Sequence, residues 1–254
     1  MSAVLSFEHV SAGYRGRKVL RDVSVSFEAG EVSGLIGPNG AGKTTLFRVA
    51  LRLLAPQAGK VRLWNRDIAD WSVQALARAV AYLPQEAEAH WPIQARRLVA
   101  LGRIPHRAVF AALNEADEQA IDDALVRCDA EAFARRAMDQ LSAGERARVL
   151  LARALAVGAS VLLADEPAAH LDPAHQLRLM ELLRAEAARG TAVIVTLHDL
   201  SLASRFCDTI VVMSDGRVAA EGTAGDALSD DVLRSVFAIS ARRLETGIVP
   251  WQRI

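Results

Sequence analysis

The chain has 254 residues, a length that suits one domain or one domain with an inserted subdomain. Hydrophobic residues make up 52% of it, so it carries enough apolar surface for a folded core and is not an intrinsically disordered segment. Its 30 Lys and Arg residues equal its 30 Asp and Glu residues, and this zero formal charge argues against a general nucleic-acid binder, which carries a basic excess.

The sequence also limits the compartment in which the protein works. Its N-terminus lacks the basic and long apolar regions of a signal peptide. No apolar stretch approaches the roughly 18–20 residues that are needed to cross a bilayer. Cys128 and Cys207 are far apart and neither belongs to a CxxC pair, which indicates neither a disulfide framework nor a zinc site. We therefore expect a soluble protein of the reducing cytosol that reaches any membrane through a partner.

The first third of the chain predicts strands followed by one helix. Residues 4–30 alternate between apolar and polar side chains, most regularly over 23–28, as in a half-buried antiparallel strand. The apolar run Val32–Ile36 is bounded by glycines and predicts a short strand. A Gly-rich turn and an apolar-periodic stretch over 44–54 follow, so this region is expected to form a strand, a loop and a helix.

The middle of the chain, residues 92–158, carries helical patterns and no convincing strand. Asn114 is positioned to cap a helix whose first turn is acidic. Two later apolar runs, Val161–Ala164 and 192–197, predict strands that are buried on both faces of a parallel sheet.

The last part of the chain predicts a helix over 172–190, with Asp172 before its first proline and a glycine at its end, and a hairpin over 210–220 with an Asp-Gly turn. These elements predict an α/β core, formed by residues 1–91 and 159–254, that is interrupted by a helical subdomain at 92–158.

The first chemical motif is GPNGAGKT at residues 37–44, which matches G-x-x-x-x-G-K-[ST] between a predicted strand and a predicted helix. Its glycines let the backbone wrap a phosphate chain, and the helix N-terminus supplies positive potential. Lys43 would reach the β- and γ-phosphates, and the Thr44 hydroxyl would hold Mg²⁺. A Gly-rich turn with a surface lysine is the alternative; the strand–loop–helix context and the presence of only three lysines in the chain favour a nucleoside triphosphate. The residues predicted to bind it are Gly37, Pro38, Asn39, Gly40, Ala41, Gly42, Lys43, Thr44 and Thr45.

The second motif is a pair of carboxylates, Asp165 and Glu166, at the end of the apolar run Val161–Ala164. This arrangement resembles a Walker B segment, in which Asp165 would bind Mg²⁺ through water and Glu166 would polarise the attacking water. Adjacent acidic residues before a proline also form ordinary solvated turns. The phosphate loop upstream favours the catalytic interpretation.

The third motif is LSAGE at residues 141–145, directly before an apolar-periodic stretch. Ser142 and Glu145 have the S-x-x-E spacing of a capping box at a helix start. A capped helix start with a serine hydroxyl and small residues also binds anions. The structural and the functional interpretation are therefore compatible.

Together these motifs resemble the nucleotide-binding subunit of ABC (ATP-binding cassette) transporters, and the resemblance runs almost end to end. It implies an α/β fold with a P-loop ATPase core, a mixed central sheet, an N-terminal antiparallel β segment and an inserted helical subdomain. It also implies that the protein binds ATP and Mg²⁺ and hydrolyses ATP.

The resemblance assigns roles to four residues outside the first two motifs. Tyr14 matches the aromatic residue that stacks on adenine, and Gln85, after the strand-like Val80–Leu83, matches the glutamine that contacts Mg²⁺ or water. Asp172 matches an aspartate that acts across the dimer, and His198 matches the histidine that contacts the γ-phosphate. The implied catalytic residues are Lys43, Gln85, Glu166 and His198, and the implied metal-binding residues are Thr44, Gln85 and Asp165.

The resemblance further implies a dimer in which two copies close head to tail around two ATP molecules. The segment Ser142, Ala143, Gly144 and Glu145 of one copy would then approach the nucleotide held by the other. Ala143 stands where glycine is the commonest residue, a change that we expect to be tolerated. His170 stands where a small residue is more common, and His170 and His175 are five positions apart, which argues against a metal-binding pair on one helix face.

Three local segments narrow the class of transporter. Residues 101–106, 170–176 and 197–200 resemble importers of iron complexes (ferric siderophores or haem) and of cobalamin. The implied partners are polytopic membrane permease subunits and, indirectly, a periplasmic or surface substrate-binding protein, with no nucleic acid. The implied location is peripheral, on the cytoplasmic face of the bacterial inner membrane. An importer of another small solute or metal, and a soluble ABC ATPase without a transport role, are the alternatives.

Two features of the sequence remain without a firm interpretation. The arginine pairs at 96–97, 135–136 and 242–243 either contact a membrane partner or form solvated faces, and we favour the solvated faces. The stretch after Ser240 predicts no particular structure.

Overall fold

The computed structural model describes residues 3–85, 92–108, 111–244 and 247–254. The strands in these ranges are β1 (Leu5–Tyr14), β2 (Arg17–Phe27), β3 (Val32–Ile36), β4 (Ala58–Leu63), β5 (Arg66–Asp67), β6 (Val80–Leu83), β7 (Val161–Ala164), β8 (Ala192–Thr196), β9 (Thr209–Ser214), β10 (Arg217–Gly222), β11 (Ile239–Leu244) and β12 (Gly247–Arg253). The helices are α1 (Lys43–Ala50), α2 (Val73–Ala79), α3 (Ala95–Ala100), α4 (Glu115–Arg127), α5 (Ala143–Leu155), α6 (Pro173–Ala187), α7 (Leu200–Phe206), α8 (Ala224–Ala227) and α9 (Asp230–Phe237).

The central sheet has six strands in the order β10-β9-β3-β8-β7-β6. Its strands are parallel except for β10, which pairs with β9 in the predicted Asp-Gly hairpin. Every residue of β3, β7 and β8 is buried, because apolar side chains cover both faces of the sheet. Neighbouring residues such as Leu162 and Leu163 therefore belong to different cores on opposite faces.

A second, antiparallel sheet with the order β2-β1-β4-β5 covers one face of the central sheet. The predicted alternation is confirmed in β2, where Val23, Val25 and Phe27 are buried while the serines between them are exposed. Leu46 and Phe47 of α1 belong to the same core as these side chains, so α1 lies between the two sheets. This packing fixes the helix that follows the phosphate loop.

The described part of residues 92–158 is mainly helical, as expected, and contains no strand, only an isolated bridge between Gln94 and Ala137. Helices α3, α4 and α5 pack on one another around a shared apolar core. Asn114 caps α4, accepting the Asp117 N–H at 2.8 Å, as predicted. The subdomain boundaries at 91/92 and 158/159 stay a prediction, and residue 91 lies outside the described residues.

Three predicted element ends were wrong by a few residues. The helix expected over 44–54 ends at Ala50, because Arg52 adopts a left-handed backbone (φ 55°) that cannot continue a helix. The strand expected over 192–197 ends at Thr196, and the helix expected to reach 190 ends at Ala187.

Residues after Ser240, for which the sequence predicted nothing, complete a hairpin of β11 and β12. The hairpin is attached to α7, since Ser201 Oγ donates to the Ile248 carbonyl at 2.9 Å and the Ile248 N–H donates to Ser204 Oγ at 3.0 Å. Within the described residues, no helix combines the length and the apolar character that a membrane span requires.

Candidate nucleotide-binding site

An open cleft with a volume of about 410 Å³ lies at the carboxyl ends of four parallel strands, β3, β6, β7 and β8. Ligands of open α/β sheets bind at this edge, and the volume is that of an ordinary small-molecule site. The residues that line the cleft are Val19, Asn39, Gly40, Ala41, Gly42, Lys43, Thr44, Thr45, Gln85, Glu166 and His198. The cleft therefore brings together most of the predicted phosphate loop with three of the four predicted catalytic side chains from other strands.

The loop between β3 and α1 has a backbone that only glycine can supply at two places. Gly37 has φ 149°, and a Cβ on it would lie 2.1 Å from the Met213 carbonyl oxygen. Gly42 has φ 107°, and a Cβ there would lie 2.8 Å from the Leu20 side chain. No side chain caps the start of α1 at Gly42, so the first N–H groups of the helix remain available for an anion.

Lys43 extends back along this loop. Its Nζ donates to the carbonyl oxygen of Gly37 at 2.8 Å and to that of Pro38 at 3.4 Å. Burial lowers the pKa of Lys43, while the charges of Glu166 and Asp165 act in the opposite direction. The loop thus holds a buried ammonium group beside the helix N-terminus, which is the arrangement that a phosphate chain requires.

Asp165 lies at the end of β7 and is almost fully buried. Its Oδ1 accepts a hydrogen bond from the Thr196 hydroxyl at 2.8 Å, and its Oδ2 accepts one from the Tyr82 hydroxyl at 3.3 Å. Burial and the neighbouring Asp165 raise the pKa of Tyr82 to about 12, so its hydroxyl stays protonated and donates. Two neutral donors therefore orient a carboxylate whose charge they leave in place.

Glu166 follows in the left-handed backbone region (φ 48°), which is uncommon for a residue with a side chain. Its two carboxylate oxygens contact residues that follow two different strands, β8 and β6: Oε1 lies 2.5 Å from Nε2 of His198, and Oε2 accepts from Nε2 of Gln85 at 2.6 Å. The sheet thus assembles Gln85, Glu166 and His198 into one connected group at the mouth of the cleft.

The donor set also fits a hard cation such as Mg²⁺. Asp165 offers a carboxylate, Thr44 a hydroxyl on the cleft wall, and Gln85 a side-chain carbonyl oxygen beside the amide nitrogen that donates to Glu166. Mg²⁺ prefers such oxygen ligands and usually keeps waters and substrate phosphates in its remaining positions. The described residues contain no cluster of three or more His, Cys, Asp or Glu side chains that could hold a metal ion.

Tyr14 lies apart from the residues that line the cleft. Its hydroxyl accepts a hydrogen bond from Arg48 at 3.1 Å, and the Arg48 guanidinium carbon lies 5.9 Å from the ring centroid. The ring is partly exposed. Its predicted role against adenine stays a prediction, and Arg48 is a neighbour that the sequence did not indicate.

The segment 141–145 forms the predicted capping box at the start of α5 and also lies outside the cleft lining. The Glu145 N–H donates to Ser142 Oγ at 3.3 Å, and the Ser142 N–H donates to the Glu145 carboxylate at 2.8 Å. Gly144 lies directly under the imidazole of His175, so that a Cβ on Gly144 would be 1.8 Å from a ring carbon. Nδ1 of that imidazole is 2.7 Å from the Asp172 carboxylate, which places the segment beside the residue predicted to act across a dimer.

Sequence reasoning missed three residues of the site, Val19, Tyr82 and Thr196. A usable signal existed for Thr196, because it is the one polar residue in the otherwise apolar strand β8 and is fully buried. A buried hydroxyl in such a strand requires a hydrogen-bond partner. That partner, Asp165, is 31 positions away in the chain and becomes visible only when β7 and β8 pair.

Comparison with known proteins places the chain among transporter components. Residues 20–169, more than half of the chain, match the family model described as "ABC transporter". A hemin import ATP-binding protein of Rhodococcus jostii is 45% identical over 87% of this chain and 75% of its own length. An iron(3+)-hydroxamate import ATP-binding protein of Bacillus subtilis is 38% identical over 93% and 88%. A cobalamin import ATP-binding protein of Halobacterium salinarum is 43% identical over 87% of this chain, which spans about 56% of that relative's length.

Solved structures show the same fold. CbiO1 of Clostridium perfringens, part of an ABC transporter complex, has a TM-score of 0.81 at 28% identity over 92% of this chain and 94% of its own. A dimeric ATP-binding cassette bound to ADP and Pi, MJ0796, has a TM-score of 0.73 at 27% identity over 87% and 98%. The predicted fold class, a P-loop ATPase core with a mixed sheet, an antiparallel N-terminal sheet and helices, is confirmed.

Proposed function

The chain belongs to the ABC transporter family, as its motifs predicted, and from this premise we propose that it binds and hydrolyses ATP to power an importer. The observation that carries the proposal is the group formed by Gln85, Glu166 and His198 at the mouth of the phosphate-loop cleft. A phosphate-binding loop alone would explain nucleotide binding. A carboxylate held in the same cleft by two side chains from neighbouring strands is suited to activating a water molecule.

In the proposed mechanism, the loop over 37–44 and Lys43 bind the phosphate chain, and the ammonium group stabilises the negative charge that develops in the transition state. Glu166 accepts the proton of the attacking water, and His198 holds the Glu166 carboxylate on one side and contacts the γ-phosphate. Thr44, Asp165 and Gln85 are the residues that would hold Mg²⁺, which when bound neutralises phosphate charge. Most of the rate gain is expected from positioning and electrostatics.

The working unit is proposed to be a head-to-tail dimer of this chain. The cleft of one copy is lined by its own loop, Gln85, Glu166 and His198, while Ser142 is exposed outside it and available to the nucleotide of a second copy. Gly144 is buried under the His175 imidazole, so that ring would have to move before a nucleotide could reach the glycine. A helix start of this kind attracts phosphate, and Asp172 lies beside it through His175. The structural relative that holds ADP and Pi is a dimer.

The proposed membrane partner is a polytopic permease subunit that docks beside the edge strand β6. The exposed apolar side chains of Val73, Leu101 and Ile104 lie on α2 and on the 3₁₀ segment Leu101–His106. These two segments are joined where Gln74 Nε2 and Arg78 Nε donate to the Pro105 carbonyl at 3.0 and 2.7 Å. Since α2 leads into β6 and then Gln85, force on this surface would reach the cleft.

The proposed cargo is an iron complex (ferric siderophore or haem) or cobalamin, since the relatives above are named as import ATP-binding proteins for cobalamin, iron(3+)-hydroxamate and hemin. A periplasmic or surface binding protein would deliver the cargo, and this chain would be peripheral on the cytoplasmic face of the inner membrane. An importer of another small solute or metal is the alternative.

The hydrolytic role is tested with Glu166→Gln, which removes the base and keeps the shape of the side chain. We expect ATP binding to persist while turnover falls by roughly 10²–10⁴. Glu115→Gln, at an exposed glutamate of α4, is the matched control and should leave both unchanged. Near-normal ATPase activity in Glu166→Gln would refute the role given to Glu166.

The cargo is tested by the uptake of labelled haem, ferric siderophore and cobalamin in cells that lack the gene. Loss of uptake of one compound, restored by the wild type and not by Glu166→Gln, would identify the cargo and link hydrolysis to import. Unchanged uptake of all three would refute the cargo class and leave the ATPase proposal intact.

A further inference from the structure

Thr196 connects the two acidic residues of the cleft through one hydroxyl group. It is the last residue of β8 and is completely buried. Its Oγ1 donates to Asp165 Oδ1 at 2.8 Å and accepts the backbone N–H of Glu166 at 2.7 Å. The same atom thereby fixes the side chain of the predicted metal-binding carboxylate and the main chain of the predicted base.

The second of these bonds lies where the chain leaves strand β7. The backbone leaves the extended conformation of β7 and enters the left-handed region at Glu166, a conformation that costs energy for a residue with a side chain. Two hydrogen bonds hold it there: the Glu166 N–H to Thr196 and the Ala169 N–H to the Glu166 carbonyl at 3.0 Å. Removing the hydroxyl would leave one N–H and one carboxylate oxygen without their partner.

The position of Thr196 in the chain adds a third connection. Two residues after it, the same segment delivers His198, whose Nε2 contacts the Glu166 carboxylate. The end of β8 therefore holds both parts of Glu166. Thr196 binds its main-chain N–H, and His198 contacts its carboxylate. A shift of β8 relative to β7 would move the base and the metal-binding carboxylate together.

We propose that Thr196 is a positioning residue for ATP hydrolysis, setting the orientation of Asp165 toward Mg²⁺ and of Glu166 toward the attacking water. This inference rests on the proposed ATPase function. In this proposal, the buried Thr196 hydroxyl aligns the Mg²⁺ ligand Asp165 with the base Glu166, because it is hydrogen-bonded to both residues.

The test compares three variants of the full-length chain. Thr196→Val keeps the shape and removes the hydroxyl, and Thr196→Ser restores it. Thr191→Val is the matched control, because Thr191 lies just before the other end of the same strand and its buried hydroxyl also donates to a carboxylate, Glu186 Oε1, at 3.1 Å. For each variant we would measure kcat, the ATP dissociation constant, the Mg²⁺ concentration at half-maximal rate and Tm.

For Thr196→Val, we expect kcat to fall about 10- to 100-fold, as for a small misplacement of catalytic groups, while the ATP dissociation constant changes by less than about twofold. The Mg²⁺ requirement should rise, and Thr196→Ser should recover most of the rate. Thr191→Val should lower Tm comparably and leave kcat and the Mg²⁺ requirement unchanged. Equal kcat and Mg²⁺ dependence in the two valine variants would overturn the inference.

Two further measurements keep the outcome decisive. If Thr196→Val does not fold, Thr196→Cys replaces it, since a thiol is a weak donor of similar size; a wild-type kcat in that variant would overturn the inference. Glu166→Gln and the wild type, assayed in parallel, separate the role of Thr196 from the proposed ATPase function. Absence of ATP hydrolysis by the wild type removes the proposed function, and full activity in Glu166→Gln removes the role given to Glu166. An inactive Glu166→Gln beside a fully active Thr196→Val removes only the role of Thr196.

Discussion

The two ends of β8 carry the same chemical pair, a buried threonine hydroxyl and a carboxylate, in different settings. Before the amino end, Thr191 donates to Glu186, and Arg127 neutralises that carboxylate with an N–O distance of 3.1 Å. At the carboxyl end, Thr196 donates to Asp165, which forms no salt bridge with any other described residue. The first pair is satisfied within the protein, whereas the second orients a charge that is left for a cation from outside. The carboxyl end is therefore built for ligands and the amino end for stability.

The largest effect on turnover is expected from Lys43→Ala. This variant removes the buried cation from the ligand-binding edge of the sheet, where β3 and β8 end. Loss of a preorganised donor to developing charge should lower ATP turnover by about 10²–10³-fold while Tm stays nearly constant. Steady-state hydrolysis and thermal unfolding would be measured together. Lys60→Ala, at an exposed lysine of β4, should behave as the wild type, and wild-type turnover in Lys43→Ala would contradict the assignment of the loop.

A second variant, Glu186→Ala, addresses the amino end. It leaves the Arg127 guanidinium and the Thr191 hydroxyl without their partner in a largely buried position, which should lower the free energy of unfolding by about 3 kcal/mol. Turnover per folded molecule should not change. Urea unfolding and kcat would be compared with those of Glu181→Ala, an exposed position on the same helix. A loss of kcat without a loss of stability would show that the two ends are not functionally separate.

The smallest effect on stability is expected at the capping box of α5. Like Glu186, Glu145 has its partners within the protein, the Ser142 N–H and Arg136, yet like Asp165 it lies in a predicted ligand-binding segment. The Ser142 N–H, followed by the Ser142 hydroxyl and Arg136, holds the pKa of Glu145 below its ordinary value of 4.5 despite some burial. Its ionised form therefore stabilises the fold above pH 4.5, and this contribution is lost as the pH falls through the lower pKa of the folded state.

Glu145→Gln keeps the capping hydrogen bond and removes the negative charge at the start of α5. It should therefore lower Tm at pH 7 by about 2–4 °C, corresponding to roughly 1 kcal/mol for a lost charge at a helix N-terminus. The difference from the wild type should shrink as the pH is lowered below 4.5. Thermal unfolding from pH 7 to pH 3 would measure both, with Glu181→Gln, at an exposed glutamate in the middle of α6, as the control. A difference that grows toward low pH would reverse the assigned sign.

Much of the fold was predictable because local patterns and tertiary structure agree. The buried runs of β3, β7 and β8 and the Asp-Gly hairpin follow directly from side-chain periodicity and turn chemistry. The hairpin of β11 and β12 was not predictable, since its strands carry mostly half-exposed or exposed residues and are held by Ser201 and Ser204 of a distant helix. Propensity alone gives little signal for an edge hairpin of this kind.

The candidate site divides in a similar way. Lys43, Asp165 and Glu166 belong to short motifs whose spacing already specifies their chemistry. Thr196 and Tyr82 act through strand pairing with residues far away in sequence, so a single chain without its fold shows no relation between them. The mutual contact of Gln85, Glu166 and His198 was likewise visible only in three dimensions.

The imidazole that lies over Gly144 also restricts how this protein can change by mutation. A methyl group at position 144 would occupy the space of the His175 ring, and the displaced ring would give up its contact with Asp172. Gly144→Ala would thus alter the starts of two helices, α5 and α6, and its phenotype would not report on Gly144 alone. A smaller side chain at 175 would remove this conflict, so the effects of substitutions at positions 144 and 175 are expected to be non-additive.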